Sequence, residues 1–192
     1  MGRTEGRTAE DTKRLILRAA AQVIRRDGLA ASLDDIAAEA GVSKGGLVYH
    51  FRSKQALLVA LGESIARGFE ALVTSRIDPS DTRPGRLTRA YIRACFADVE
   101  DPVAMRDNIA IAAHLISDDD LQELADRDGR RWRARLREDG LPDRTITLVI
   151  AACDGVSTGP LWGSALDGDD VRELERDLIG LTESGPGPGS GG

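Results

Sequence analysis

The chain has 192 residues at 20.6 kDa, 41% of them apolar and 30% charged, and its 26 Lys/Arg against 32 Asp/Glu leave a formal net charge of −6. These figures fit one or two globular domains and exclude a fibrous chain or wholesale disorder. No apolar run nears the about 18 residues a membrane span needs, and the start MGRTEGRTAEDTKR is charged where a secretory signal is apolar, so a cytoplasmic protein without a membrane partner is expected.

Apolar periodicity is helical nearly everywhere, so the fold class is all-α. Leu15, Ala19 and Val23 with Ile16, Ala20 and Ile24 stripe a first helix that Gly28 ends as a C-cap. Ser32 with Asp35 resembles a capping box and opens a short second helix, LDDIAAEA, closed by Gly41. Ser43 caps a third helix running to about His50, and Ser53 a long fourth in which Leu57, Leu61, Ile65, Phe69 and Leu72 recur at helical steps. The segment DPSDTRPGR then reads as a linker. A fifth helix carries Leu87, Tyr91, Ala94, Cys95 and Val99, and a sixth starts at Asp101-Pro102 and holds Met105, Ile109, Ala112 and Ile116. Asp118 to Asp120 open a seventh, with Leu121, Leu124, Ala125, Trp132 and Leu136 on one side and many Arg on the other; Leu141-Pro142 breaks it. An eighth covers roughly Arg144 to Ala165, bent by Pro160. A ninth begins with Asp170 and Glu173 as a capping pair and carries Val171, Leu174, Leu178 and Leu181 at heptad-like spacing, before the tail GPGPGSGG, expected to be disordered.

Residues 32 to 51, SLDDIAAEAGVSKGGLVYHF, have the anatomy of a helix-turn-helix. Ile36, Ala37, Ala40, Val42, Leu47 and Phe51 are placed to pack its helices, and Val48 is expected in the core as well. Ser43, Lys44, Gly45 and Gly46 form the first turn of the second helix of the pair, where glycines cost up to about 1 kcal/mol each against Ala and so call for a reason such as close approach to a duplex. Tyr49, His50 and Lys54 offer hydroxyl, imidazole and ammonium donors for phosphate oxygens, although His50 could instead cap a helix end. Charge agrees with this division. The first 55 residues hold 10 Lys/Arg and 7 Asp/Glu, a balance of +3, and the remainder carries −9, a basic head on an acidic body.

The stretch GVSKGGLVYHFRSKQALL resembles the signature of the TetR family of bacterial one-component repressors, a match covering about residues 12 to 75, and around it the order of three head helices, a long connecting one and five in the body is similar to the family's. The resemblance implies a dimer that meets double-stranded operator DNA through Ser43, Lys44, Gly45, Gly46, Tyr49, His50 and Lys54, with Ser32 adding a phosphate contact. Where the family usually has Tyr after the Leu, this chain has Val48, which removes one contact. The Leu-Val-Tyr-His-Phe form resembles regulators of drug-efflux genes. The implied layout is a flexible arm at 1–11, a DNA-binding domain at 12–55, a ligand-binding and dimerisation domain at 56–183 and a disordered tail at 184–192.

The same resemblance implies an inducer cavity in the body, for which Phe96, Met105, Ile109, His114, Trp132 and Trp162 are candidate wall residues, although by pattern they are mainly core positions. The acidic body suits a cationic or neutral inducer. Ala151, Gly155, Gly159 and Gly163 leave a bare face every fourth residue, and with Val171, Leu174 and Leu178 they are candidates for the homodimer interface, the alternative being an intrachain contact. No enzyme motif, cofactor loop or metal-ligand spacing is present: the two His and the single, well-separated Cys95 and Cys153 form neither a zinc pattern nor a disulfide framework, and both thiols read as buried. The reading is a small-molecule-responsive transcriptional repressor without cofactor, the alternatives being an architectural DNA-binding protein or a helical interaction module.

Overall fold

The computed structural model describes residues 8–97 and 119–183, apart from the side chains of Leu29, Pro160, Leu161 and Trp162. Among these residues it holds eight α-helices and no strand. They are α1 (Ala9–Asp27), α2 (Leu33–Glu39), α3 (Lys44–His50), α4 (Lys54–Ser75), α5 (Arg86–Ala97), α6 (Asp119–Arg137), α7 (Asp143–Trp162) and α8 (Gly168–Glu183). The sixth helix expected from the sequence, with Met105, Ile109 and His114, lies outside the described residues, as does the tail. Helices α6 to α8 are the expected seventh to ninth.

The described chain divides into two compact units, residues 8–66 with 119–125 and residues 67–97 with 126–183. The first is built on α1. Thr8 and Asp11 close a capping box at its start, and Gly28, at φ +64, donates its N–H to Ile24 at its end. The face between buries Ile16, Ala20, Val23 and Ile24 against Ile36 and Ala37 of α2, Leu47 of α3 and Leu57, Leu58 and Leu61 of α4. Each large side chain so buried contributes about 1.5–3 kcal/mol. Leu121 joins this core where Gly62 of α4 leaves room, since a Cβ there would lie 2.9 Å from Leu124 and 3.2 Å from Leu121.

The second unit packs α5 against α7 and α8. Ala90, Tyr91, Ile92, Ala94, Cys95 and Phe96 are buried on α5, opposite Ile146, Val149, Cys153 and Val156 of α7 and Val171 and Leu178 of α8. Helix α5 has no capping side chain of its own sequence neighbourhood. Asp139 supplies it from beyond α6, its carboxylate accepting from the Leu87 and Thr88 N–H groups at 3.2 and 2.6 Å and from the Thr88 hydroxyl at 2.8 Å.

The segment DPSDTRPGR, read from its composition as a linker, is tied down on both sides. Arg89, 0% exposed, donates to Asp81 at 2.7 Å, to the Pro84 carbonyl at 2.9 Å and to the Thr182 carbonyl and hydroxyl at 3.3 and 3.4 Å. Arg83 also reaches Asp81, at 3.0 Å, and Glu183, at 3.1 Å. Polar and proline-rich composition marks a turn, but it does not reveal that the turn's carboxylate is buried and paired. The α8 start differs as well: Asp167 accepts from the N–H groups of Asp169 and Asp170 while Asp170 accepts from Asp167, so the capping pair sits three residues before the expected one. The run of acids around Gly168 offers several capping registers, and spacing alone does not choose between them.

Candidate nucleic-acid interface

The turn between α2 and α3 is set by Gly41. Its φ of +64 is a conformation other residues avoid, and it lets Gly41 N–H reach the Ala38 carbonyl at 3.1 Å and Val42 N–H the Ala37 carbonyl at 3.0 Å, the paired bonds of a Schellman motif. Chain direction reverses there within three residues. Ser43 then caps α3, its hydroxyl accepting the Gly46 N–H at 3.0 Å, and Leu47 is buried, anchoring α3 by its inner face. Ser53 repeats the device for α4, accepting from Ala56 N–H at 3.0 Å.

With Leu47 turned inward, the neighbouring positions of α3 turn outward. Tyr49 is 83% exposed and meets the His50 ring edge-on, 5.2 Å between centroids. Val48, expected in the core, is 39% exposed, because one helical step of about 100° from a fully buried residue carries a side chain off the packed face. The two glycines separate in role. A Cβ on Gly46 would stand 3.2 Å from the Ser43 hydroxyl, so that glycine serves the cap, whereas a Cβ on Gly45 would meet nothing within 4 Å. Among the described residues nothing accounts for Gly45.

Ser43, Lys44 and Gly45 are exposed together in the first turn of α3, and His50 and Lys54 are half-buried at its far side. Lys44 Nζ pairs with Asp34 at 2.8 Å, both side chains largely in solvent, an arrangement that holds the ammonium weakly. Ser32 is engaged in its capping box: its hydroxyl donates to the Asp35 carboxylate at 2.5 Å and accepts the Asp35 N–H at 3.1 Å. Those bonds from Ser32 hold the Asp35 carboxyl below its ordinary range.

In the second unit the candidate ligand residues fall in different places. Phe96 and Trp132 are buried; Met105, Ile109 and His114 and the side chain of Trp162 are outside the described residues. Phe69 and Tyr91, placed by spacing only on the stripes of their own helices, meet Trp132 ring to ring, a meeting of α4, α5 and α6 that leaves no trace in local spacing. Cys95 and Cys153, 58 positions apart, come together: Cys153 shares a hydrogen bond with Cys95, which with burial pushes its thiol well above the ordinary value. Burial likewise raises the Tyr91 phenol, with Cys95 beside it. Of the dimer candidates, Ala151, Gly155 and Gly163 are exposed and Gly159 half-buried. Val171 and Leu178 are buried in the protomer's own core and Leu174 packs against it. A heptad-like stripe that meets its own α5 has the same spacing as one that meets a partner.

Two family models match the chain, bacterial regulatory proteins of the tetR family over residues 16–61 and the tetracyclin repressor-like C-terminal domain over residues 85–183. The chain belongs to this family and is a helix-turn-helix, DNA-binding transcription regulator. Solved structures agree in fold. A putative transcriptional regulator of Pseudomonas aeruginosa PAO1 superposes with a TM-score of 0.74 at 22% identity, covering 95% of each chain. A TetR transcription regulator of Haloarcula marismortui gives 0.71 at 13%, covering 91% of this chain and 98% of that one. The multidrug binding protein EbrR, solved with malachite green, gives 0.66 at 23%, covering 88% and 97%. No curated protein matches the chain. No helix among the described residues is long and apolar enough to cross a membrane.

Proposed function

We propose that this regulator is a small-molecule-responsive repressor that binds a palindromic operator as a dimer and is released by an inducer held in residues 56–183. The observation that carries the DNA half is Tyr49, 83% exposed on the outer face of α3 next to a glycine whose Cβ position is open. A large, solvent-exposed aromatic beside bare backbone suits a surface that closes against a duplex. Ser43, Lys44, Gly45, Tyr49, His50 and Lys54 then supply the contacts, Gly46 keeps the cap in place, and Ser32 offers its phosphate contact through the N-terminus of α2. Val48 adds an exposed apolar group suited to a thymine methyl.

The inducer half is supported by EbrR, a similar fold that binds malachite green. Helix α4 contributes residues to both compact units, so a ligand that prefers one arrangement of the body can bias the head; a coupling of about 1–3 kcal/mol is typical of such linkage. For the dimer, the exposed Leu148, Ala151 and Gly155 of α7 and Leu181 of α8 are the available apolar positions.

The test is a fluorescence titration of the purified protein against its own upstream intergenic DNA with unrelated duplex as competitor. Competitor-resistant binding at physiological salt is expected, weakened about tenfold or more by Tyr49→Phe and Lys44→Ala, with Lys54→Ala lowering the salt slope by about 1. Binding that the competitor abolishes would make the protein architectural. Unchanged affinity in all three variants would remove α3 as the contact surface.

A further inference from the structure

Phe69 of α4, Tyr91 of α5 and Trp132 of α6 form a mutual aromatic cluster, with ring centroids 5.5 Å apart for Phe69–Tyr91 and Phe69–Trp132 and 5.2 Å for Tyr91–Trp132. Two of its members carry a polar group. The Tyr91 hydroxyl is turned to the Cys95 thiol. The indole of Trp132 is different: the residue is 5% exposed, and among the described residues its Nε1–H finds no acceptor. A buried donor left unpaired costs about 1–3 kcal/mol, and an indole N–H can only donate. Nor do its nearest polar neighbours remedy this. The Arg135 guanidinium lies 4.5 Å from the ring centroid and that of Arg131 6.0 Å, and guanidinium groups accept nothing. Glu70 is taken up by both arginines, at 2.8 Å to Arg135 and 3.1 Å to Arg131, and Asp128 pairs with Arg131 at 2.9 Å. Among the described residues the cluster therefore lacks a hydrogen-bond acceptor at one identified atom, Trp132 Nε1.

We infer that Trp132 Nε1 is the hydrogen-bond donor of the inducer site, and that the inducer is a flat, largely apolar molecule carrying an unprotonated acceptor, a carbonyl oxygen or ring nitrogen, at its edge. This deepens the repressor reading above and rests on it. An ammonium or quaternary nitrogen has no lone pair to offer this donor, so the group that meets Nε1–H is an uncharged acceptor atom of the ligand. Phe69 and Tyr91 supply the walls on which a planar ring stacks.

Isoquinoline and naphthalene are matched probes, since they share size and planarity and differ in one ring nitrogen. In the full chain, the two indole N–H resonances are resolved by 15N–1H NMR, and the Trp132 signal is assigned as the one lost in Trp132→Phe. Isoquinoline is expected to bind about tenfold more tightly than naphthalene and to move the Trp132 N–H signal downfield, whereas naphthalene, which offers no acceptor, gives only a ring-current shift without that downfield displacement. Trp132→Phe keeps an aromatic ring and removes the donor, so the preference should fall to about one. Equal affinities, no downfield displacement with isoquinoline, no binding by either probe, or a preference that survives Trp132→Phe would each overturn the inference. Operator affinity read in the same samples separates the two claims. A probe that moves the Trp132 signal downfield without releasing DNA upholds the acceptor site and sinks the inducer reading; a compound that releases DNA without that downfield displacement does the reverse.

Discussion

Gly45 and Gly46 are adjacent and chemically identical, yet the structure gives only one of them an internal purpose. Gly46→Ala would press a methyl against the Ser43 hydroxyl 3.2 Å away and disturb the cap of α3, so it should lower stability. Gly45→Ala meets nothing, and by narrowing the unfolded ensemble it should raise stability by about 0.5 kcal/mol while weakening operator binding. Thermal melts and DNA titrations of the two variants check this contrast. A Gly45→Ala protein that binds DNA as well as the wild type would mean that the duplex does not need that bare position. At this scale the sequence was readable wherever the cause is local. Ser32 with Asp35, Ser43 with Gly46 and Gly41 are all decided by residues within five positions, and each sits where spacing placed it. Val48 was misread because the apolar character of a residue does not say which way a short helix faces.

Among the elements, the loop from α4 to α5 carries most of what spacing could not show. Asp81 is buried and its carboxyl is held well below the ordinary carboxylate range, first by Arg83 and then by Arg89. Its folded pKa is depressed, so its contribution to stability is full above the unfolded value of about 4 and is lost as pH falls through and below that value. Asp81→Asn should therefore melt lower than the wild type at pH 7, and the gap should narrow toward pH 3. Melting temperatures across that range decide it, and a gap that is constant with pH would show that the ion pair is not its source. The pairing joins residue 81 to residue 89 and to Thr182, and the aromatic cluster likewise gathers residues 69, 91 and 132. Contacts across such separations depend on how helices pack, which a single chain's periodicity does not encode. That is why the helices and the α2–α3 turn were legible, and the aromatic cluster and the α8 cap register were not.

For the molecule as a whole, the open question that the surface poses is association. Leu148 is 47% exposed, Ala151 and Gly155 continue its face, and a Cβ on Gly155 would meet nothing within 4 Å of its own chain. Gly155→Arg should accordingly leave the fold intact and weaken the proposed dimer by placing a bulky charge on the face proposed to meet a second copy. Sedimentation equilibrium would show a shift toward monomer with unchanged helical circular dichroism; a dimer of undiminished affinity would move the interface elsewhere. Assembly also has an order in time. The first turn of α5 finds its acceptor in Asp139, about fifty residues further along, so a chain growing from its N-terminus exposes the Leu87 and Thr88 N–H groups to water until that residue has been made. The helix that lines the body's core is thus capped only after α6 has been synthesised.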